Sequence, residues 1–141
     1  MLALDLGKRR IGLAVSDELG LTAQGLETLQ RTNIREDVSR LAELVREYGV
    51  GEIVLGKPLH MDGREGRQVE WVKDFAERLR GKLAVPVRLW DERLTTVEAE
   101  RMLKTSGISI RKRALAVDRV AAVLLLESYL GARGGGALAV E

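Results

Sequence analysis

The chain has 141 residues, a length that fits one domain with one core and leaves no room for two full lobes. It has no cysteine, which excludes disulfides and thiolate metal sites and predicts a reducing compartment, the cytoplasm; a zinc cluster or Ser-His-Asp triad would depend on one histidine, His60. The net charge is only +2, and no apolar run approaches the ~20 residues that span a membrane, so we expect no membrane partner.

The first predicted elements are two strands joined by a basic turn. Residues 2–6 form a short apolar run that contains one acid, Asp5. A second apolar run covers residues 11–16, after the turn Lys8-Arg9-Arg10, so the pair predicts a β-hairpin. A third strand, more weakly indicated, is expected within residues 22–29.

A helix and a buried strand follow. Asn33 is a suitable N-cap, and Glu36 three residues later completes a capping box. Gly49 is expected to end this helix. Residues 52–56 predict a strand, and residues 57–63 predict the loop after it.

The last third of the chain predicts helices around one further strand. The second helix is indicated by an apolar stripe of Val69, Val72, Phe75, Ala76 and Leu79. Residues 86–90 predict the last strand, which ends in the acidic pair Asp91-Glu92. A third helix is expected over residues 95–107 and a long final helix over residues 114–130.

This order of elements predicts an α/β fold with a mixed five-stranded sheet, three antiparallel strands and then two parallel ones, flanked by helices. Right-handed β-α-β crossovers place the helices on the sheet faces. Among layered α/β folds, this order is that of the ribonuclease H-like group. We predict one such domain over residues 1–131 and a flexible glycine-rich tail over residues 132–141.

Four acidic residues at three places in the chain stand out. Asp5 lies inside an apolar strand, where a charge is costly unless something compensates it. Asp91 and Glu92 stand at the carboxyl end of a strand, and Asp118 lies in an apolar helix, so all could meet at one edge of the sheet. Each also has an ordinary explanation: an Asp that begins a turn, an ion pair with Arg93, or an acid stabilised by a helix dipole.

Clustered carboxylates repel one another unless a hard cation binds between them. Mg²⁺ and Mn²⁺ prefer oxygen ligands. Two such ions about 4 Å apart activate water and stabilise the leaving oxygen in phosphodiester hydrolysis, with no need for His or Cys. The acids therefore favour a nucleic-acid site that uses Mg²⁺ or Mn²⁺.

Basic residues are concentrated near two of these acids. The segment 101–119 holds the cations Arg101, Lys104, Arg111, Lys112, Arg113 and Arg119 against one anion, Asp118. Arg111, Lys112 and Arg113, in the predicted loop before the last helix, are candidates for contact with a nucleic-acid backbone. The turn residues Lys8, Arg9 and Arg10, and Arg93 after the acidic pair, are candidates for phosphate contact. A solvated surface, a charged turn and a structural ion pair are the alternatives.

Four motifs in chain order resemble those of the YqgF (RuvX-like) family. They are residues 5–16, the loop 56–63, the Asp-Glu-Arg-Leu-Thr-Thr segment 91–99, and residues 118–130 of the final helix. Two positions depart from the family pattern: Lys57 stands where the family has Leu, and His60 where it has Asn. Neither departure touches the acids.

The resemblance implies a ribonuclease H-like fold related to Holliday-junction resolvases, and a nuclease that matures the 5′ end of precursor 16S ribosomal RNA. By motif, Asp5, Glu92 and Asp118 are the expected catalytic acids and metal ligands. Strand alternation puts Asp91 and Glu92 on opposite faces and leaves open which one faces the metals. The expected partner is nucleic acid, with precursor ribosomal RNA favoured over branched DNA, and the protein is expected to act as a monomer or homodimer.

Three other functions fit parts of the sequence. A DNA junction resolvase would need a dimer with two sites. A non-catalytic nucleic-acid-binding module with the same fold is disfavoured by the presence of Asp5, Glu92 and Asp118. A sugar-kinase or actin-like ATPase also begins with Asp-x-Gly, but needs a second lobe that the length does not supply.

Overall fold

The computed structural model describes residues 1–20, 22–57, 67–91 and 110–134. In chain order, its elements are β1 (Leu2–Leu6), β2 (Arg10–Ser16), β3 (Ala23–Gly25), β4 (Leu29–Gln30), α1 (Ile34–Glu47), β5 (Ile53–Lys57), α2 (Arg67–Lys82), β6 (Val87–Asp91) and α3 (Ile110–Gly134). Within these ranges, no helix combines the length and the apolar character needed to cross a membrane.

The strands form one mixed sheet in the order β3-β2-β1-β5-β6, with β4 also paired to β2. The hairpin β1–β2 is antiparallel, whereas β1–β5 and β5–β6 are parallel. This confirms the predicted mixed sheet. The expected third strand is divided in two, because β3 pairs Gly25 with Ala14 while β4 pairs Leu29 with Ile11, which leaves one extra residue between them. An extra residue of this kind forms a bulge that interrupts the ladder.

The two faces of the sheet are covered by different helices. Leu2, Leu4 and Leu6 of β1 belong to a core cluster shared with α1 and α2. Ala3, between them, belongs to a second cluster shared with α3. This division follows from strand geometry, since successive side chains point to opposite faces. The predicted stripe of α2 is confirmed, with all five of its residues buried: Val69, Val72, Phe75, Ala76 and Leu79.

The ends of α1 are formed by the predicted signals. The Asn33 side chain accepts a hydrogen bond from the Glu36 amide at 2.9 Å. The Glu36 carboxylate, however, accepts from the Thr32 hydroxyl at 2.8 Å, so the reciprocal half of the capping box takes a neighbouring donor. At the other end, Gly49 has a φ of +60°, and the Val50 amide donates to the Val45 carbonyl. Glycine there permits the left-handed turn of a Schellman motif.

The final helix begins earlier than the sequence prediction placed it. α3 starts at Ile110, so Arg111, Lys112 and Arg113 lie in its first turn, and the prediction of a loop there is wrong. Arg and Lys are good helix formers, and no Gly or Pro stands between Ile110 and Leu130, so the polar character of this segment did not end the helix. The start of the predicted tail 132–141 is also wrong, because residues 132–134 belong to α3. The predicted helix 95–107, residues 58–63 of the predicted loop 57–63 and residues 135–141 of the predicted tail lie outside the described residues.

Candidate active site

Asp5 lies in the ladder of β1, paired with Gly12 of β2. The turn itself closes further on, where the Gly7 amide donates to the Arg10 carbonyl at 2.9 Å. Asp5 is therefore a strand residue and does not begin the turn. By alternation it shares a face with Ala3, which is the face that α3 covers. It is half-buried near the carboxyl end of β1.

The parallel strands β5 and β6 end beside Asp5. Since Leu4 pairs with Leu55 and Gly56 pairs with Trp90, the register places Gly56 and Trp90 level with Asp5. Trp90 packs in the cluster beneath α3, whereas its neighbour Leu89 belongs to the opposite cluster. Asp91, the last residue of β6, has the strand parity of Leu89. Glu92 and Arg93 lie outside the described residues.

α3 runs in the direction opposite to β1. Near its end, the Tyr129 hydroxyl donates to Glu52 Oε1 at 2.6 Å. Glu52 precedes β5, and its carbonyl accepts from the Leu2 amide at the start of β1. The last turns of α3 therefore lie at the amino ends of these strands, and its first turns lie towards their carboxyl ends.

This direction brings the position of Asp118 towards the same edge as Asp5. Asp118 lies one helical turn before Ala122, and Ala122 is buried in the cluster that contains Ala3. Four helical residues advance by about 6 Å, and two strand residues from Ala3 to Asp5 advance by about 7 Å. Asp118 also lies more than two turns after the start of α3, where the helix dipole no longer explains an acid.

A close contact fixes α3 beside Asp118. Arg119 Nε donates to the Leu26 carbonyl at 3.0 Å. A Cβ atom on Gly25 would lie 2.5 Å from Arg119 Cγ, so glycine at this strand position leaves the space in which the Arg119 side chain lies. The sequence prediction missed this contact, although a glycine within a strand is a signal of close approach.

The predicted phosphate-binding residues of the hairpin lie at the same end of the sheet. Lys8 and Arg9 are exposed in the turn after β1. Arg10 is the first residue of β2 and is half-buried. A Cβ atom on Gly7 would lie 2.8 Å from the Arg10 carbonyl oxygen, so this tight turn requires glycine directly after Asp5-Leu6.

Lys57 is a further charged residue at this edge, which the sequence prediction had assigned to a loop. It is the last residue of β5, paired with Asp91 in register, and only 4% of it is exposed. A buried lysine is rare because its charge must be compensated. By strand alternation it shares the parity of Leu55, which belongs to the cluster under α1 and α2, so it lies on the face opposite to that of Asp5.

A divalent cation is the group that the predicted carboxylates would hold. Asp5 offers the hard oxygen ligand that Mg²⁺ and Mn²⁺ prefer, at the edge of the sheet where the position of Asp118 also lies. Among the side chains that the structure describes, no group of three or more Asp, Glu, His or Cys forms a metal site. The predicted set includes Glu92 and Asp118, whose side chains are not among those described.

Comparison with known proteins gives one family over nearly the whole chain. The model of the family described as "RuvX: Holliday junction resolvase" matches residues 1–132. A protein of Koribacter versatilis (strain Ellin345), named "Putative pre-16S rRNA nuclease", is 51% identical over 134 residues, which are 95% of this chain and 88% of that protein. A protein of Syntrophus aciditrophicus (strain SB) with the same name is 55% identical over 132 residues, 94% and 88% of the two chains.

Solved structures share the fold. A chain of "T. thermophilus RuvC in complex with Holliday junction substrate" superposes with a TM-score of 0.59 over 99% of both chains, at 16% sequence identity. A second chain, "Thermus thermophilus RuvC structure", gives a TM-score of 0.54 at the same identity. The predicted ribonuclease H-like architecture is confirmed by this similarity.

Proposed function

The chain belongs to the RuvX family, and from this premise we propose that it is a nuclease that hydrolyses phosphodiester bonds in 5′-end processing of precursor 16S ribosomal RNA. The name shared by relatives at 51% and 55% identity supports this substrate. The observation that carries the proposal is the placement of Asp5 on the α3-covered face, at the carboxyl edge of the sheet. The absence of cysteine agrees with action in the cytoplasm.

Asp5, Glu92 and Asp118 are the proposed catalytic acids and metal ligands. Strand parity disfavours Asp91, because this position has the parity of Leu89, opposite to that of Trp90 and Asp5. A bound Mg²⁺ or Mn²⁺ would supply Lewis-acid activation of water and charge stabilisation of the leaving oxygen. The carboxylates themselves would hold and orient that ion and accept hydrogen bonds from bound water.

The basic residues are proposed to bind the nucleic-acid backbone. They are Lys8, Arg9, Arg10, Arg93, Arg111, Lys112 and Arg113. Exposure of Lys8 and Arg9 at the end of the sheet that carries Asp5 supports this role. The direction of α3 supports it further, because its first turn, with Arg111, Lys112 and Arg113, lies towards the same end. Contacts to phosphates would position the strand without reading its sequence.

The proposal is tested by cleavage of precursor 16S RNA in Mg²⁺ or Mn²⁺ with purified variants. Asp5→Asn and Asp118→Asn should each lower the rate at least about 100-fold, since metal catalysis supplies several kcal/mol of transition-state stabilisation. Asp74→Asn, an exposed acid on α2, should cut as fast as the wild type. Circular dichroism confirms that each variant is folded. Wild-type rates in both site variants would contradict the acid site.

A second candidate is cleavage of four-way DNA junctions. The description of the matching family and the fold shared with RuvC favour it. Junction DNA assayed beside the RNA separates the two functions, because cutting of the junction alone would replace the proposed substrate. Binding of both nucleic acids without cleavage would instead indicate a non-catalytic module.

A further inference from the structure

Arg31 and Asp37 form a buried ion pair that lies away from the acids described above. Arg31 Nε is 3.3 Å from Asp37 Oδ2, and the two side chains are 11% and 0% exposed. Asp37, in the first turn of α1, also accepts a hydrogen bond from the Thr32 amide at 3.1 Å. A buried pair is retained at a cost in desolvation unless further hydrogen bonds satisfy it. Here such a bond is present, so Asp37 holds Arg31 in one fixed orientation.

The other contacts of Arg31 lead to the basic turn. Its Nη1 donates to the Gly7 carbonyl at 3.0 Å. Its backbone amide donates to the Arg9 carbonyl at 2.9 Å. One residue therefore binds the turn on both sides of Lys8.

The Arg31 guanidinium also packs against aromatic rings of α2. The Arg31 Cζ atom lies 4.4 Å from the centroid of the Trp71 ring and 5.8 Å from that of Phe75. Cation–π attraction is strongest where the cation is shielded from water, as it is here. Arg31 thus connects α1 and α2 to the turn after β1.

We propose that Arg31 is a positioning residue that fixes the turn carrying Lys8 and Arg9. This inference rests on the proposed function, in which those two side chains bind the phosphate backbone. Without the hydrogen bonds from Arg31, the exposed turn would have to become ordered when it binds the nucleic acid. The conformational entropy lost in that step would weaken each phosphate contact. Because Gly7 lies two residues after Asp5, the same anchor limits the movement of the carboxyl end of β1.

Only arginine provides this combination of contacts. Its planar fork directs Nε to the carboxylate of Asp37 while Nη1 reaches the carbonyl of Gly7. Lysine has a single ammonium group on a flexible stem and cannot reproduce the two bonds and the stacked plane. Arg31→Lys therefore keeps the positive charge but loses the two directed hydrogen bonds and the stacking. An effect of this variant is then due to the positioning of the turn and not to a change in charge.

The first measurement needs no nucleic acid. Hydrogen exchange of the Gly7 amide, which donates to the Arg10 carbonyl, reports opening of the turn. Arg31→Lys should accelerate this exchange about tenfold, the effect of losing one charged hydrogen bond. The Gly20 amide, which donates to the Asp17 carbonyl in a different turn that Arg31 does not contact, should exchange as in the wild type.

The matched control is a second arginine that forms an ion pair with an aspartate. Arg78 Nε also lies 3.3 Å from Asp74 Oδ2, but the two side chains are 57% and 59% exposed. Arg78→Lys should leave Gly7 exchange unchanged. If Arg31→Lys fails to fold, Trp71→Leu removes the supporting ring and should accelerate Gly7 exchange about threefold.

The second measurement is a double-mutant cycle on RNA binding. Arg31→Lys should raise the Kd for a precursor 16S RNA fragment about tenfold in the wild-type background. In a Lys8→Ala/Arg9→Ala background it should raise the Kd no further, because there are no phosphate contacts left to position. A full tenfold loss in both backgrounds, or unchanged Gly7 exchange, would overturn the proposal. If the wild type binds no RNA, the proposed function fails, and Gly7 exchange still decides whether Arg31 fixes the turn.

Discussion

Gly25 is the point at which α3 lies directly against β3, and one added methyl group should disrupt this contact. In Gly25→Ala, the new Cβ atom would lie 2.5 Å from Arg119 Cγ and 2.8 Å from Arg119 Cδ. Both distances are well below van der Waals contact, which begins near 3.5 Å. Arg119 must rotate away and lose its hydrogen bond to the Leu26 carbonyl, or α3 must move outwards.

The expected cost is moderate. Overpacking costs about 1–3 kcal/mol, while alanine lowers the entropy of the unfolded chain and returns about 0.4–1 kcal/mol. The net destabilisation should be about 1–2 kcal/mol. With a urea m-value of about 2 kcal/mol/M, the unfolding midpoint should fall by about 0.5–1 M.

Urea unfolding followed by circular dichroism measures this shift, and two variants sharpen the test. Gly131→Ala makes the same chemical change within α3, where the added Cβ atom would meet nothing within 4 Å beyond its own helix turn, so it should stabilise the protein by about 0.5–1 kcal/mol. Arg119→Ala removes both close atoms, so Gly25→Ala should cost nothing further in that background. The reasoning is refuted if Gly25→Ala unfolds at the wild-type midpoint, or if its cost is the same with and without the Arg119 side chain.

Three further predictions concern local features. Asn33→Ala should lower the free energy of unfolding by about 1 kcal/mol, because the Glu36 amide loses its acceptor, whereas Asn33→Asp should retain the wild-type value. Gly49→Ala should cost about 1 kcal/mol in the same urea assay, because its φ of +60° strains any side chain although no atom lies within 4 Å; equal stability would mean that this turn adopts another conformation. Lys8→Ala and Arg9→Ala should each lower the slope of log Kd against log salt concentration by about 1 for an RNA probe, as measured by fluorescence anisotropy, and an unchanged slope would remove that residue from the interface.

Features determined by neighbouring residues were predictable from the sequence. The buried strand β1, the buried stripe of α2 and the Asn33 cap each depend on a few adjacent positions, and each is confirmed. Residue polarity predicted the helix boundaries less well than these local patterns. It placed the start of the last helix after Arg113, whereas the helix-forming residues from Ile110 onwards extend α3 backwards.

The sequence by itself determined the order of elements, the mixed sheet and the family, because periodicity and motif order are properties of the chain. The tertiary structure decided which distant residues meet. Arg119 reaches the Leu26 carbonyl across 93 positions, and Arg31 reaches Gly7 across 24. Such contacts depend on the bulge after β3, the direction of α3 and the packing of two helices on one face, and no local pattern encodes them. Asp5 could be identified as a candidate from its apolar neighbours. Only the fold places it on the face of the sheet that α3 covers, near the edge towards which the position of Asp118 lies.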